Sequence, residues 1–197
     1  MFKKEEKEYK LSSLNSNNHS SLSNTAKLPS IFTEIQAYLL HPSGLNLDTP
    51  PSFEAESRDY SAMRFILNGK LIVFRQAKTT PNKLGQFVTL WKRPTPESDI
   101  MPFDPSDNID FCLIATFTEN QKGLFVFDSN TLMKKGVFST PSKEGKRAMR
   151  VYPAWVTPVA KQAIQTQKWQ SLCFINLDNP ETAINQFKNM LFPDGKK

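Results

Sequence analysis

The dipeptide Asn68-Gly69, set between two runs of strand-forming residues, is the feature of this chain that most constrains its fold. Both positions tolerate positive φ, which a type I′ turn requires, so the dipeptide predicts a β-hairpin of residues 60–67 and 71–78. A third predicted strand, residues 85–93, is apolar on both faces. A strand that is buried on both sides belongs to a barrel wall or to a sheet that helices cover.

Further strands follow in the centre of the chain, and helices follow towards its end. The central elements are a hairpin over residues 110–117 and 123–127, a short helix over 129–135, and a strand over 146–152. Two later helices, over residues 157–170 and 181–191, begin at Thr157-Pro158 and Asn179-Pro180, each an N-cap residue followed by proline. The pattern predicts an α+β fold: a curved, largely antiparallel sheet, barrel-like or pseudobarrel, with helices at both ends.

The N-terminal part of the chain is rich in serine and asparagine, which fill ten of the positions in residues 11–24. Such a segment has too few apolar groups to offset the entropy of ordering, so we expect a flexible extension over residues 1–28. A single domain is expected over residues 29–197, starting with Ser30 as the N-cap of a helix over 31–40. The apolar residues at helical spacing in that helix are Ile31, Ile35, Tyr38 and Leu39.

Composition excludes several classes of protein. Of the 197 residues, 39% are apolar and 22% are charged, unlike a collagen or a wholly disordered chain. No run reaches the roughly 18 apolar residues that cross a bilayer, and the charged start does not resemble a secretory signal. We therefore expect a cytoplasmic protein with no membrane partner. The two cysteines and two histidines lack zinc-site spacing, and the seven glycines form no phosphate-binding loop, so no metal or cofactor is expected.

The net charge of +6 is unevenly distributed along the chain. Residues 67–93, the first basic segment, carry six cations and no acid, and residues 133–150, the second basic segment, carry six cations and one acid. The acidic segment between them, residues 94–132, carries seven acids and one cation. Two interpretations are open. The acidic segment neutralises the basic segments across the fold, or the two basic segments meet and form one positive face.

The second basic segment gives the clearer binding pattern. The two-residue period of a strand places Lys146, Arg150 and Tyr152 on one face, opposite Arg147, with Trp155 just beyond the strand. Cations beside aromatic rings are typical of a surface that binds phosphates and stacks on bases, although the same pattern also fits a solvated face that ends in core aromatics.

The helix over 157–170 carries a third candidate aromatic residue. Its side chains Gln162, Gln165 and Trp169 form a stripe that is either a second packed face or an exposed platform beside amides. The complete set of candidate nucleic-acid-binding residues is Arg75, Lys78, Lys83, Lys92, Arg93, Lys146, Arg147, Arg150, Tyr152, Trp155 and Trp169.

One pattern suggests catalysis. Glu54, Glu56 and Asp59 precede Gln76 and Lys78, an order of residues found in metal nucleases, where carboxylates hold Mg²⁺ and a lysine stabilises the attacking water. The pattern is short and degenerate, and a loop of solvated acids before a hairpin is the favoured account of it.

Four stretches of the chain resemble the MepB family of small bacterial proteins. They are residues 74–93 (FRQAKTTPNKLGQFVTLWKR), 102–110 (PFDPSDNID), 145–155 (GKRAMRVYPAW) and 162–170 (QAIQTQKWQ). The resemblance runs from about residue 31 to about residue 177 and departs at Asp128, where the family pattern has proline. It implies a fold similar to DNA-binding pseudobarrel domains and an operon that also encodes a multidrug efflux pump and its regulator. It supplies no catalytic residues.

The leading prediction is a non-catalytic nucleic-acid-binding protein that favours single strands. The alternatives are a Mg²⁺-dependent nuclease that uses Glu54, Glu56 and Lys78, and a protein-interaction module of the efflux system.

Overall fold

A computed structural model describes residues 28–54 and 56–193 of the chain. The strands in chain order are β1 (Ser52–Phe53), β2 (Met63–Leu67), β3 (Lys70–Gln76), β4 (Lys78–Thr80), β5 (Lys83–Thr89), β6 (Trp91–Lys92), β7 (Met101–Pro102), β8 (Phe111–Phe117), β9 (Lys122–Asp128), β10 (Ala148–Val151) and β11 (Phe174–Asn176). The α-helices are α1 (Ser30–Ile35), α2 (Ser129–Lys134), α3 (Lys161–Gln170) and α4 (Pro180–Leu191). The predicted extension lies outside the described residues except for Leu28, which packs against the core.

The main sheet has six strands in the order β1-β2-β3-β8-β9-β11. Both predicted hairpins are confirmed: β2 pairs antiparallel with β3, and β8 pairs antiparallel with β9. Asn68 and Gly69 have φ values of 45° and 74°, as the turn type requires. The sheet is mixed because β3 and β8 are parallel, and within the described residues it stays open, with β1 and β11 at its edges. The predicted α+β class with a largely antiparallel sheet is confirmed.

A second sheet, in the order β10-β5-β4, holds the predicted third strand. The chain leaves the main sheet after Gln76, where the N–H of Ala77 makes one last bond to the carbonyl of Ala115. The run predicted as one strand over 71–78 is therefore divided between β3 and β4, and β5 pairs with β10 instead of joining the first hairpin. A short ladder of β6 and β7 forms a third sheet.

Apolar side chains pack on both faces of the main sheet, which is why β8 and β9 are almost continuously apolar. On one face, Leu113 belongs to a core cluster with Phe32 of α1 and Phe187 of α4. On the other face, Phe127 belongs to a cluster with Val88 of β5. The second sheet is therefore held against the main sheet by a core of its own.

The first helix lies close to its predicted position, but Ser30 is its first residue and Pro29, without a side-chain hydrogen bond, takes the N-cap position predicted for Ser30. The residues that the helix buries also differ from those at the predicted helical spacing. After Ile35 it continues as a π-helix over Gln36–Leu40, in which the N–H of His41 bonds to the carbonyl of Gln36. The wider turn rotates the following side chains, so Leu39 and Leu40 are buried while Tyr38 is 65% exposed. The expectation that Tyr38 shares the buried face is wrong for this reason.

The two later helices differ in how well their starts are predicted. The Asn179 side chain accepts a hydrogen bond from the N–H of Thr182, so the predicted cap of α4 is confirmed. Helix α3 begins at Lys161 instead of following Thr157, because Gln167 donates to the carbonyls of Pro153 and Val156 and holds the preceding chain in a turn.

Asp128, where the chain departs from the family pattern, caps α2. Its carboxylate accepts hydrogen bonds from the N–H and the hydroxyl of Thr131, so an N-cap replaces the expected proline without disturbing the hairpin before it. In the described part of the chain, no helix has the length and apolar character needed to cross a membrane.

Candidate nucleic-acid-binding site

The two basic segments meet in the second sheet. Strand β5 belongs to the first segment and β10 to the second, and they pair antiparallel with Phe87 opposite Arg150. On the other side of β5, Phe87 lies opposite Lys78 of β4. The row Lys78, Phe87 and Arg150 therefore crosses all three strands, and the Arg150 guanidinium lies 5.9 Å from the centre of the Phe87 ring. Of the two charge interpretations, this arrangement fits the one in which the basic segments adjoin.

A cleft of about 370 Å³ lies between β10 and α3, and we call it the basic cleft. Its cations are Lys135, Lys146 and Arg150, and its aromatic residues are Tyr152 and Trp169. The other lining residues are Val137, Ala148, Met149, Ala160, Gln162, Ala163, Thr166 and Gln170. None of the described residues that line it is Asp or Glu. Four predicted site residues, Lys146, Arg150, Tyr152 and Trp169, are thus brought together with one further cation.

The buried side chain of Gln170 joins the two walls of the basic cleft. Its Nε2 donates to the carbonyl of Arg150 and its Oε1 accepts from the N–H of Tyr152, each at 2.9 Å. These are the bonds that a neighbouring strand would make at the edge of the sheet, so one amide side chain takes the place of a strand partner. The bonds fix the position of α3 against β10 and hence the position of the cleft walls.

Arg150 is held firmly by the turn between β4 and β5. Its guanidinium donates to the carbonyls of Leu84 and Gly85 and to the hydroxyl of Thr80. Gly85 has φ +74°, and a Cβ there would lie 2.7 Å from the Tyr152 ring and from the carbonyl of Val151. Glycine is therefore required both for the backbone conformation and for the close approach of Tyr152. These contacts orient Arg150 and Tyr152.

Trp169 has a place both in the core and in the basic cleft. Its ring packs against Phe127 at 5.4 Å between centroids, while the ammonium of Lys135 lies 5.6 Å from the ring centre. The side chain is half-buried. The two alternatives for Trp169, packed residue and exposed platform, are therefore combined in one position.

Arg75 does not reach the surface, which contradicts its assignment as a phosphate-binding residue. Its side chain is 0% exposed and forms an ion pair with Glu54, which also pairs with Arg64 at 2.5 Å. The guanidinium donates to the carbonyl of Phe74 and lies 5.8 Å from the Phe103 ring centre. Burial lowers the pKa of Arg75, and the carboxylate of Glu54 opposes that shift. Its position inside the fold gives Arg75 a structural role.

Three other predicted cations are paired with carboxylates. Lys92 contacts Asp104 at 2.7 Å and Asp107 at 2.8 Å, and its hydrogen bond lowers the pKa of Asp104. Arg93 contacts Glu56 at 2.9 Å, and Arg147 contacts Glu144 at 2.8 Å. Asp104 and Asp107 of the acidic segment thus neutralise Lys92 in the third sheet, so the first charge interpretation applies there. By contrast, none of the cations that line the basic cleft forms an ion pair with the described residues.

The remaining predicted residues lie outside the basic cleft. The ammonium of Lys78 is 5.1 Å from the centre of the Tyr60 ring, and Lys83 is exposed at the start of β5. Trp155 packs edge-on against Phe174, with 5.5 Å between the ring centroids. Trp155 is therefore a packing residue of the chain that follows β10.

The residues of the proposed metal site do not converge. The carboxylate of Glu54 is held by Arg75 and Arg64, Glu56 contacts Arg93, and Lys78 lies against Tyr60. Across residues 28–54 and 56–193, no three side chains of His, Cys, Asp or Glu form a group that could hold a metal ion.

Neither cysteine is placed to act as a nucleophile at neutral pH. Burial raises the pKa of Cys112 to about 12 and that of Cys173 to about 11, so both thiols remain protonated.

Two polar residues of the basic cleft on which its charge and shape depend, Lys135 and Gln170, are not among the predicted site residues. Lys135 lies within the second basic segment, but it follows α2 and so fell outside the strand pattern on which the prediction relied. Gln170 ends the helix next to Trp169, and no local pattern distinguishes an amide that bonds to a strand edge from a solvated one. The positive charge of the second basic segment is a signal in the sequence that could identify Lys135. No signal in the sequence identifies Gln170.

Comparison with known proteins agrees with the resemblance seen in the sequence. The MepB-like family model matches residues 54–176, and no curated protein matches the chain. The crystal structure of MepB is 30% identical in sequence and superposes with a TM-score of 0.66, over 77% of this chain and 99% of MepB. The matched region includes β5, β10 and α3, and hence both walls of the basic cleft. The chain belongs to the MepB-like family.

Proposed function

We propose that this protein binds nucleic acid, preferentially single-stranded, in the basic cleft. The observation that carries the proposal is the lining of the basic cleft, where Lys135, Lys146 and Arg150 of the second basic segment lie in one depression with Tyr152 and Trp169. Cations and aromatic rings in one carboxylate-free groove are what binding of a single strand requires, because the cations neutralise phosphates and the rings stack on bases.

The cations of the basic cleft have different roles in this proposal. Lys135 and Lys146 form no ion pair with the described residues, so their ammonium groups are available to phosphates. Arg150 is fixed by its bonds to the β4–β5 turn and contributes a positive field in a set position. Two lysines without an ion pair among the described residues, beside one fixed arginine, fit a ligand with a flexible backbone.

The preference for single strands follows from the aromatic residues. Tyr152 and Trp169 line a cleft of about 370 Å³ between a strand and a helix. In a duplex the base faces are stacked on one another, so ring stacking in the cleft requires an unpaired base. Duplex DNA retains only its phosphates as ligands for the lysines, and its binding is expected to be weaker.

The experiment is fluorescence anisotropy with a labelled single-stranded oligonucleotide, using wild type and the double variant Lys135→Ala with Lys146→Ala. We expect the double variant to bind about tenfold or more weakly, because two phosphate contacts are lost. The slope of the logarithm of the binding constant against the logarithm of the salt concentration should be smaller in magnitude by about 1.4. The matched control is Lys168→Ala with Lys188→Ala, which removes the same charge outside the basic cleft. Equal weakening by both pairs, or no binding by wild type, would contradict the proposal.

The alternatives give different results in the same assay. A Mg²⁺-dependent nuclease would shorten the labelled oligonucleotide when Mg²⁺ is added, whereas the proposed protein leaves it intact. An interaction module of an efflux system, the third hypothesis from the sequence, would neither bind nor cleave the oligonucleotide. A cytoplasmic location completes the proposal, because an intracellular nucleic acid is then within reach.

A further inference from the structure

We infer that a second groove, beside the basic cleft, binds the next bases of the same single strand; this inference rests on the proposed function. The groove has a volume of about 280 Å³, and we call it the apolar groove. Its own lining residues are Lys83, Leu84, Pro158 and Val159. It shares Arg150, Tyr152, Ala160 and Ala163 with the basic cleft.

The shared residues place the two depressions side by side. Arg150 and Tyr152 line both, so a chain that stacks on Tyr152 in the basic cleft passes directly into the apolar groove. Helix α3 borders both depressions through Ala163, which lines each of them. One extended ligand can therefore occupy both, which a small globular ligand would not do.

The apolar groove has the chemistry that an unpaired base requires. Val159 is 83% exposed and Leu84 is 53% exposed, and both line the same groove although they come from different parts of the fold. Isolated exposed apolar residues are ordinary, but two that line one groove mark a surface that a ligand covers. The apolar faces of bases would cover these side chains, because they are poorly hydrated.

The charge of the apolar groove favours nucleic acid as its occupant. Lys83 supplies an ammonium group at the side of the groove, and Arg150 supplies a guanidinium on the wall shared with the basic cleft. None of the described lining residues is acidic. A strand that lays its bases on Leu84 and Val159 therefore has cations available for its phosphates.

The test is a series of oligothymidylates from about two to about ten nucleotides, each competing with a labelled single strand for the protein. The variant is Leu84→Ser with Val159→Ser, and both positions are exposed, so the fold is expected to persist. We expect the shortest oligonucleotides to bind the variant as they bind wild type, because they fill the basic cleft alone. The longest are expected to bind it about fivefold or more weakly, because the apolar contacts are lost.

The matched control is Leu172→Ser. Leu172 is 79% exposed and lines neither the basic cleft nor the apolar groove, so its replacement should leave the whole length series unchanged. Circular dichroism of all variants checks that the fold is intact.

The outcomes separate this inference from the proposed function. Suppose that wild type binds both short and long oligonucleotides. If the Leu84 and Val159 variant then binds both lengths as tightly as wild type, or binds both more weakly by the same factor, the apolar groove is not the continuation of the site. The proposed function stands in that case. If the variant changes only the oligomeric state of the protein, the groove contacts another copy and the inference is overturned. If wild type binds no oligonucleotide of any length, both fail.

Discussion

At the level of single residues, the cationic side chains of this protein form two groups. Some are paired inside the fold, and others line an open cleft where a ligand could contact them. Arg75 is enclosed with Glu54 and contacts the Phe103 ring, whereas Lys135 and Lys146 line an open cleft. A charge inside the core must keep its partner, because an unpaired buried charge is costly. The first basic segment is thus less available for binding than its charge alone indicates.

The pairing of Arg75 with Glu54 gives a stability prediction. We expect Glu54→Gln to lower the free energy of unfolding by about 3 kcal/mol, since the buried guanidinium loses its countercharge. Changing Arg75→Met in the same chain should recover most of the loss, because no buried charge then remains. Urea unfolding monitored by circular dichroism measures both effects.

Glu56→Gln is the matched control for this prediction. Glu56 contacts Arg93 in a partly exposed ion pair, and such pairs contribute about 1 kcal/mol or less. Equal destabilisation by the Glu54 and Glu56 variants would show that burial of Arg75 has no energetic consequence.

At the scale of elements, α3 is positioned by one amide side chain. Gln170 bonds to the backbone of Arg150 and Tyr152, so Gln170→Leu should lower stability by about 1–3 kcal/mol by leaving these groups unpaired. The exchange of the Tyr152 amide hydrogen, followed by NMR, should become faster. Gln165→Leu, at an exposed position of the same helix, is the control. A Tyr152 amide that exchanges equally slowly in both variants would mean that another group protects it.

Elements governed by local chemistry could be predicted from the sequence. The Asn68-Gly69 turn and the cap of α4 at Asn179 depend on backbone angles and on hydrogen bonds to near neighbours. The parallel pairing of β3 with β8 could not be predicted, because it joins segments about forty residues apart and has no local signature. The π-turn that exposes Tyr38 likewise depends on packing of the whole helix.

The candidate site was predictable only in part for the same reason. The period of a strand grouped Lys146, Arg150 and Tyr152 correctly, since that grouping requires only one extended segment. To predict that Arg75 is buried, one must know that β3 is a central strand of the main sheet. To predict that Lys92 pairs with Asp104, one must know which loops meet in the fold.

On the scale of the whole molecule, the net charge of +6 matters less than its arrangement. Pairing of β5 with β10 joins the basic segments, while the acidic segment neutralises Lys92 in the third sheet through Asp104 and Asp107. None of the described residues that line the basic cleft or the apolar groove is acidic. If the protein binds nucleic acid as we propose, this arrangement is expected to direct the ligand to the basic cleft.

The most direct test of this account is photo-crosslinking of a single-stranded oligonucleotide that contains 4-thiothymidine, followed by mass spectrometry of the crosslinked peptides. The account predicts crosslinks at Tyr152 and Trp169, which line the basic cleft, and their loss when Lys135 and Lys146 are both replaced by alanine. Crosslinks confined to peptides outside the basic cleft and the apolar groove, or crosslinking that the double variant does not diminish, would contradict it.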